Sequence, residues 1–125
     1  MLRFAAALFA IVLLAPLTSP APLSLTPCTL RDVPVPAKCG TMTVLENRVA
    51  GRGRTIALNV AVIPAAESPR APDAVTFFDG GPGEAAVDAA AFVYERFAAL
   101  HRRHDILLVD QRGTGHSSPL TCRPF

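Results

Sequence analysis

Tryptophan is absent, tyrosine occurs once, and a single lysine stands against eleven arginines. With aromatics at only 6% of residues, the chain has no obvious stacking platform for bases or sugar rings. Positive charge is thin as well. The formal net charge is +2 and the arginines are scattered, so neither a nucleic-acid patch nor a membrane-surface patch stands out. The arginine bias, seen beside much alanine and proline, reads as the imprint of a G- and C-rich genome. No apolar run reaches the roughly 20 residues that a bilayer span requires. The three cysteines, Cys28, Cys39 and Cys122, fit no C-x-x-C zinc spacing, so neither a metal site nor a cofactor is expected.

What is present begins with an export segment over residues 1–21. Arg3 is a short basic start, Phe4–Leu17 is apolar except for Pro16, and the small polar pair Thr18-Ser19 follows. Pro20 and Pro22 crowd the cleavage position, which leaves an uncleaved membrane anchor as the alternative; only then would the chain touch a membrane. Export implies an oxidising compartment. Cys28 and Cys39 flank a proline-rich lead-in, residues 22–40, and a bridge between them would contribute about 2–3 kcal/mol by loop closure. Cys122 is then left over.

From Gly40 onward the patterning is that of sheet. Thr41–Leu45 alternates weakly, Glu46–Arg54 is a turn-forming connection, and Thr55–Ile63 places Ile56, Leu58, Val60 and Val62 on one face. These segments predict an antiparallel hairpin. Pro64–Asp73 is a surface loop. Ala74–Phe78 is a short apolar strand of the kind buried on both faces. Glu84–Arg103 predicts one helix with a stripe of Val87, Ala90, Ala91, Tyr94, Phe97 and Ala98; that stripe reads as core packing, and His101 and His104 read as surface residues. Asp105–Val109 is a second buried strand, so that strand, helix and strand form a crossover with a parallel pair.

Between the first buried strand and the helix lies Phe77-Phe78-Asp79-Gly80-Gly81-Pro82-Gly83. Glycine permits positive φ and close approach to the backbone, and Pro82 donates nothing, so the available donors are the amides of Gly80, Gly81 and Gly83. Donors beside a helix start suit negative charge that develops in a transition state. A plain tight turn is the competing reading. After the second strand comes Asp110-Gln111-Arg112-Gly113-Thr114-Gly115-His116-Ser117.

The two motifs in this order, one helix apart, resemble the α/β-hydrolase fold, and within it the exported proline iminopeptidase and tripeptidyl aminopeptidase group of serine peptidases. The resemblance covers roughly residues 28–123. It implies an α/β class: the N-terminal, incomplete portion of a hydrolase sheet over residues 41–125, with an antiparallel hairpin and then a parallel β-α-β crossover. It also implies that Gly81 supplies one oxyanion-hole amide, with Gly80 the alternative donor. The second amide would follow the nucleophile serine. Asp110 and Arg112 would brace the loop and hold the glycine turn in shape, while Gly113 and Gly115 would permit its sharp path. The group usually carries histidine where Asp79 stands here. A carboxylate there should repel an oxyanion unless it turns away or is paired, for example with Arg112.

Such enzymes need a G-x-S-x-G elbow, then an acid, then a histidine. No G-x-S-x-G occurs; Gly115-His116-Ser117-Ser118-Pro119 is the nearest imitation, and Ser117 is not expected to be a nucleophile. The resulting expectation is an exported fragment of an aminopeptidase-type serine hydrolase, with a peptide or acyl substrate in the full-length enzyme and no activity alone. Two other classes compete. A dinucleotide-binding module would use Gly113-Thr114-Gly115, although Ser118 stands where the third glycine belongs. A small, exported, disulfide-stapled interaction domain would have no chemistry.

Overall fold

A computed structural model describes residues 23–121; the expected export segment over residues 1–21 and Cys122 lie outside the described residues. Five strands, β1 (Thr26–Cys28), β2 (Ala37–Leu45), β3 (Thr55–Ile63), β4 (Ala74–Phe77) and β5 (Asp105–Val109), form one sheet in the order β1-β2-β3-β5-β4. Two helices, α1 (Ala90–Arg96) and α2 (Ala98–His101), lie between β4 and β5 in the chain.

The hairpin of β2 and β3 runs from Lys38 opposite Val62 to Leu45 opposite Thr55. β1 pairs antiparallel with β2, and β3 pairs antiparallel with β5. Only β4 and β5 are parallel, with Ala74 opposite Asp105 and Phe77 opposite Leu108.

This architecture corrects the expected fold class. The expected antiparallel hairpin and parallel pair are present, but an α/β class also needs substantial helices covering the sheet, such as the one expected over Glu84–Arg103. Here three of the four strand pairings are antiparallel, and the helices have seven and four residues. The result is a small, sheet-rich domain with a mixed sheet. Part of the reason is local. The chain from Gly81 to Ala89 folds into successive turns instead of helix, and within it the Val87 amide donates to the buried Asp110 carboxylate. A further break falls at Phe97, where φ is −102° and ψ is 20°.

The core forms where small and branched residues meet. Ala37, Ala61, Ile63, Ile106 and Leu108 from the sheet pack against Ala86, Ala90 and Val93. Fully burying each branched side chain contributes about 1.5–3 kcal/mol. The helical stripe is rotated from the predicted one: Val93 is fully buried, whereas Ala98 is exposed. On β3 the tightest packing likewise includes Ala61 and Ile63, which alternate with the predicted Ile56–Val62 face. Alanine on both the strand and the helix permits this close approach.

The lead-in is more ordered than its composition implies. Cys28 and Cys39 are joined by a disulfide with Cα atoms 5.8 Å apart. The residues between them supply the end of β1 and the start of β2, and Leu30, Val33 and Val35 pack against the core. The disulfide is compatible with an exported protein. Among the described residues no helix is long and apolar enough to cross a membrane.

His101 corrects another expectation, for it is buried. Its Nε2 lies 2.7 Å from the Pro64 carbonyl oxygen, and its ring meets Tyr94 edge-on at 5.1 Å. The loop after β3 folds back here, with Ala66 and Glu67 donating to the His101 and Arg102 carbonyls. His104 is partly exposed and pairs with Asp73 at 3.0 Å.

Candidate functional site

Parallel strands carry their following loops at the same end of a sheet. β4 and β5 therefore deliver Asp79–Gly83 and Asp110–Ser117 to one edge. One hydrogen bond couples these segments, Gln111 Nε2 donating to the Asp79 carbonyl at 3.3 Å, and the Val87 amide, just past the turn, donates to Asp110 Oδ1 at 2.9 Å.

Asp110 is the organising residue of this edge. It is 1% exposed, and its second oxygen accepts from Asn59 Nδ2 at 2.9 Å and from the His116 amide at 3.2 Å. Three donors from three segments thus converge on one carboxylate, which satisfies a buried charge by hydrogen bonds alone. The loop beyond it continues the work of β5. Where β5 ends, the Asp110 amide donates to the Asn59 carbonyl, Ser117 Oγ accepts from the Asn59 amide at 2.7 Å, and Ser118 Oγ contacts Ala57. The backbone of β3 therefore keeps partners beyond its last β5 neighbour.

Gly113 and Gly115 adopt φ of 87° and 46°, in the left-handed region. At Gly115 a side chain is excluded twice over: a Cβ would lie 2.6 Å from the Ala85 Cβ and 2.5 Å from Asp110 Oδ2. The Gly113 amide is already committed to the Ser117 carbonyl at 2.8 Å, and no helix follows within the described residues. That loop closes on itself and does not present a phosphate cradle.

The glycine turn differs from expectation in three respects. The Gly80 amide is taken by Asp79 Oδ1 at 2.8 Å, so this donor is occupied by the chain's own carboxylate. Asp79 neither points away from the turn nor pairs with Arg112, whose Nη1 instead donates to the Glu46 carbonyl at 3.2 Å. Arg112 thus braces the β2–β3 connection and not the turn. Finally, α1 starts at Ala90, well past Gly83, so no helix dipole reinforces these amides. The Gly81 amide, at φ 62°, has no hydrogen-bond partner among the described residues.

A recess of about 380 Å³ beside the turn is lined by Asp79, Gly83, Glu84, Ala85, Asp88 and Ala89. Three carboxylates and no cation give it negative character, which opposes a bare anion and suits an ammonium group. Ser117 is fully buried against the β3 backbone, so its hydroxyl faces neither this recess nor solvent. Sequence reasoning missed Asn59 and Glu46. Asn59 is the polar interruption in the otherwise apolar Ile56–Ile63 run, and that interruption was the available signal.

Among the described residues no group of three or more histidine, cysteine or carboxylate side chains is placed to hold a metal ion. No protein-family model and no curated protein sequence matches the chain.

Proposed function

We propose that this chain is exported by its N-terminal segment, residues 1–21, and carries the oxyanion-binding element of an aminopeptidase-type serine hydrolase without the attacking serine. The observation that carries the reading is the convergence of the Gly80–Gly83 turn and the Asp110 loop at one end of the parallel β4–β5 pair. The Gly81 amide is the donor, since Asp79 occupies that of Gly80. Such an amide would stabilise the negative oxygen of an acyl-transfer intermediate against the repulsion of the nearby carboxylates, Asp79 above all. The acidic rim of Asp79, Glu84 and Asp88 offers counter-charge to the N-terminal ammonium of a peptide, which favours an aminopeptidase over an esterase.

No G-x-S-x-G is encoded, and Ser117 is buried, so the chain alone should neither turn over aminoacyl anilides nor react with a fluorophosphonate probe. Labelling at Ser117 would overturn that assignment. The decisive experiment reads the coding DNA past the Phe125 codon and expresses the longer product. The proposal requires that product to contain G-x-S-x-G and to act on aminoacyl anilides. In that product Gly81→Ala, which keeps the N–H but disfavours the φ of 62°, should displace the donor and lower kcat with little change in KM. A continuation without the motif, or an inactive product, would sink the proposal. The interaction-domain reading draws on Phe78, 69% exposed beside the outer strand β4, and would then take precedence.

A further inference from the structure

We propose that the cleft between the turn end of the β2–β3 hairpin and the loop after β5 binds a monoanionic carboxylate with a short apolar body. The cleft has a volume of about 500 Å³, within the range of small-ligand sites. One wall is charged, formed by Glu46, Arg54 and Arg112, and the other is apolar, formed by Ile56, Pro119 and Leu120.

The charges on the first wall are unequally engaged. Arg54 is bound through Nε and Nη2 to both oxygens of Glu46, so these two groups largely satisfy one another. Arg112 donates one N–H to the Glu46 carbonyl, which anchors its head group at the cleft without a carboxylate partner. A guanidinium carries five donors in a planar fork matched to a carboxylate. Two guanidinium groups against one carboxylate leave a single positive charge on the lining. That balance fits a monoanion and is poorly matched to a phosphate dianion.

The second wall supplies the apolar contact. Leu120 is 85% exposed, yet its position is defined: its amide donates to the Gly113 carbonyl at 3.1 Å, and its side chain lies within 3.2 Å of the place a Gly113 Cβ would take. An exposed leucine held in place in the same cleft as an arginine is a surface that a ligand with an acidic head and an apolar tail would cover. Neither wall includes the Gly80–Gly83 turn, so this site stands or falls independently of the acyl-transfer reading.

The shared chemistry has two sources, a free short-chain acid and the C-terminus of a peptide. The test titrates the full chain with hexanoate, with N-acetyl-leucyl-alanine, and with the C-terminal amide of that peptide, following the Gly113 and Leu120 amide signals by NMR. Saturable shifts confined to residues 46–56 and 112–120 are expected with an acid, and the amide should bind about tenfold more weakly. Tighter binding of hexanoate would identify a free acid, and tighter binding of the peptide acid a peptide terminus. Arg112→Gln should weaken acid binding by a similar factor, while Arg112→Lys should retain part of it. Absence of saturation with both acids, or equal binding of acid and amide, would overturn the proposal. The acid–amide comparison needs no variant and so holds even if Arg112→Gln folds poorly.

Discussion

The main-chain N–H of Val87 donates to Oδ1 of Asp110 across 2.9 Å, joining the segment after the glycine turn to the loop after β5. Because Oδ2 also accepts from Asn59 and His116, one buried side chain sets the relative placement of three segments. Asp110→Ala should leave three donors without their acceptor, each worth about 1–3 kcal/mol when unpaired in the interior. A loss of about 3 kcal/mol or more is expected, read as a lower urea midpoint with an unchanged slope. A loss under about 1 kcal/mol would show that the carboxylate is not what holds this edge together.

Gly115 and Gly51 make a controlled pair. Both have left-handed φ, 46° and 64°, but nothing lies within 4 Å of a Cβ at Gly51, whereas one at Gly115 would collide with Ala85 and Asp110. Gly51→Ala should cost only the left-handed backbone penalty, about 1–2 kcal/mol. Gly115→Ala should cost clearly more in the same denaturant titration, since steric displacement of the Asp110 network adds to the backbone term. Equal losses would count against the packing described around Asp110.

The Cys28–Cys39 bridge ties β1 to β2 across 11 positions of sequence. Replacing both cysteines by serine should lower stability by about 2–3 kcal/mol, and dithiothreitol should do the same to the unaltered chain. The effect should be largest in amide protection of residues 26–39. Protection lost evenly over the whole sheet would show that the lead-in is not a separate, stapled unit.

Glu46 is held below the ordinary carboxylate value of 4.5, chiefly by its hydrogen bonds from Arg54, with the charges of Arg54 and Arg112 acting in the same direction. A lowered folded-state pKa means stabilisation that is present above the unfolded value and lost as pH falls through the folded one. The pair is solvent-exposed, so the effect on stability is small and is screened by salt. Carbon-13 titration of the Glu46 carboxyl should give a midpoint below 4.5, moving upward in Arg54→Ala and at high salt. A midpoint unmoved by Arg54→Ala would separate the two residues.

Some of this was legible in the residues themselves. The period of two in Thr55–Ile63 implied a strand, and the glycines of Gly80–Gly83 and Gly113–Gly115 marked sharp paths after apolar runs. The cysteine spacing across a proline-rich segment implied a staple. The helix was misjudged because alanine-rich periodicity from Glu84 onward suits helix in isolation, whereas the segment up to Ala89 forms turns in the assembled chain. His101 read as a surface residue because its partners, Pro64 and Tyr94, are distant or ambiguous along the chain. Arg112 was assigned to the wrong neighbour because the hairpin end at Glu46 reaches the loop after β5 only through the antiparallel pairing of β3 with β5.

Local chemistry therefore decided the strands, the glycine turns and the cysteine staple. Each depends on neighbouring dihedral preferences or on alternation over a few residues. The antiparallel pairing of β3 with β5, the shortness of the helices and the partners of each buried acceptor were decided only by the assembled structure. Hydrogen bonds such as that from Val87 to Asp110 link residues far apart in the chain, and no alternation over a few residues reports such a partner.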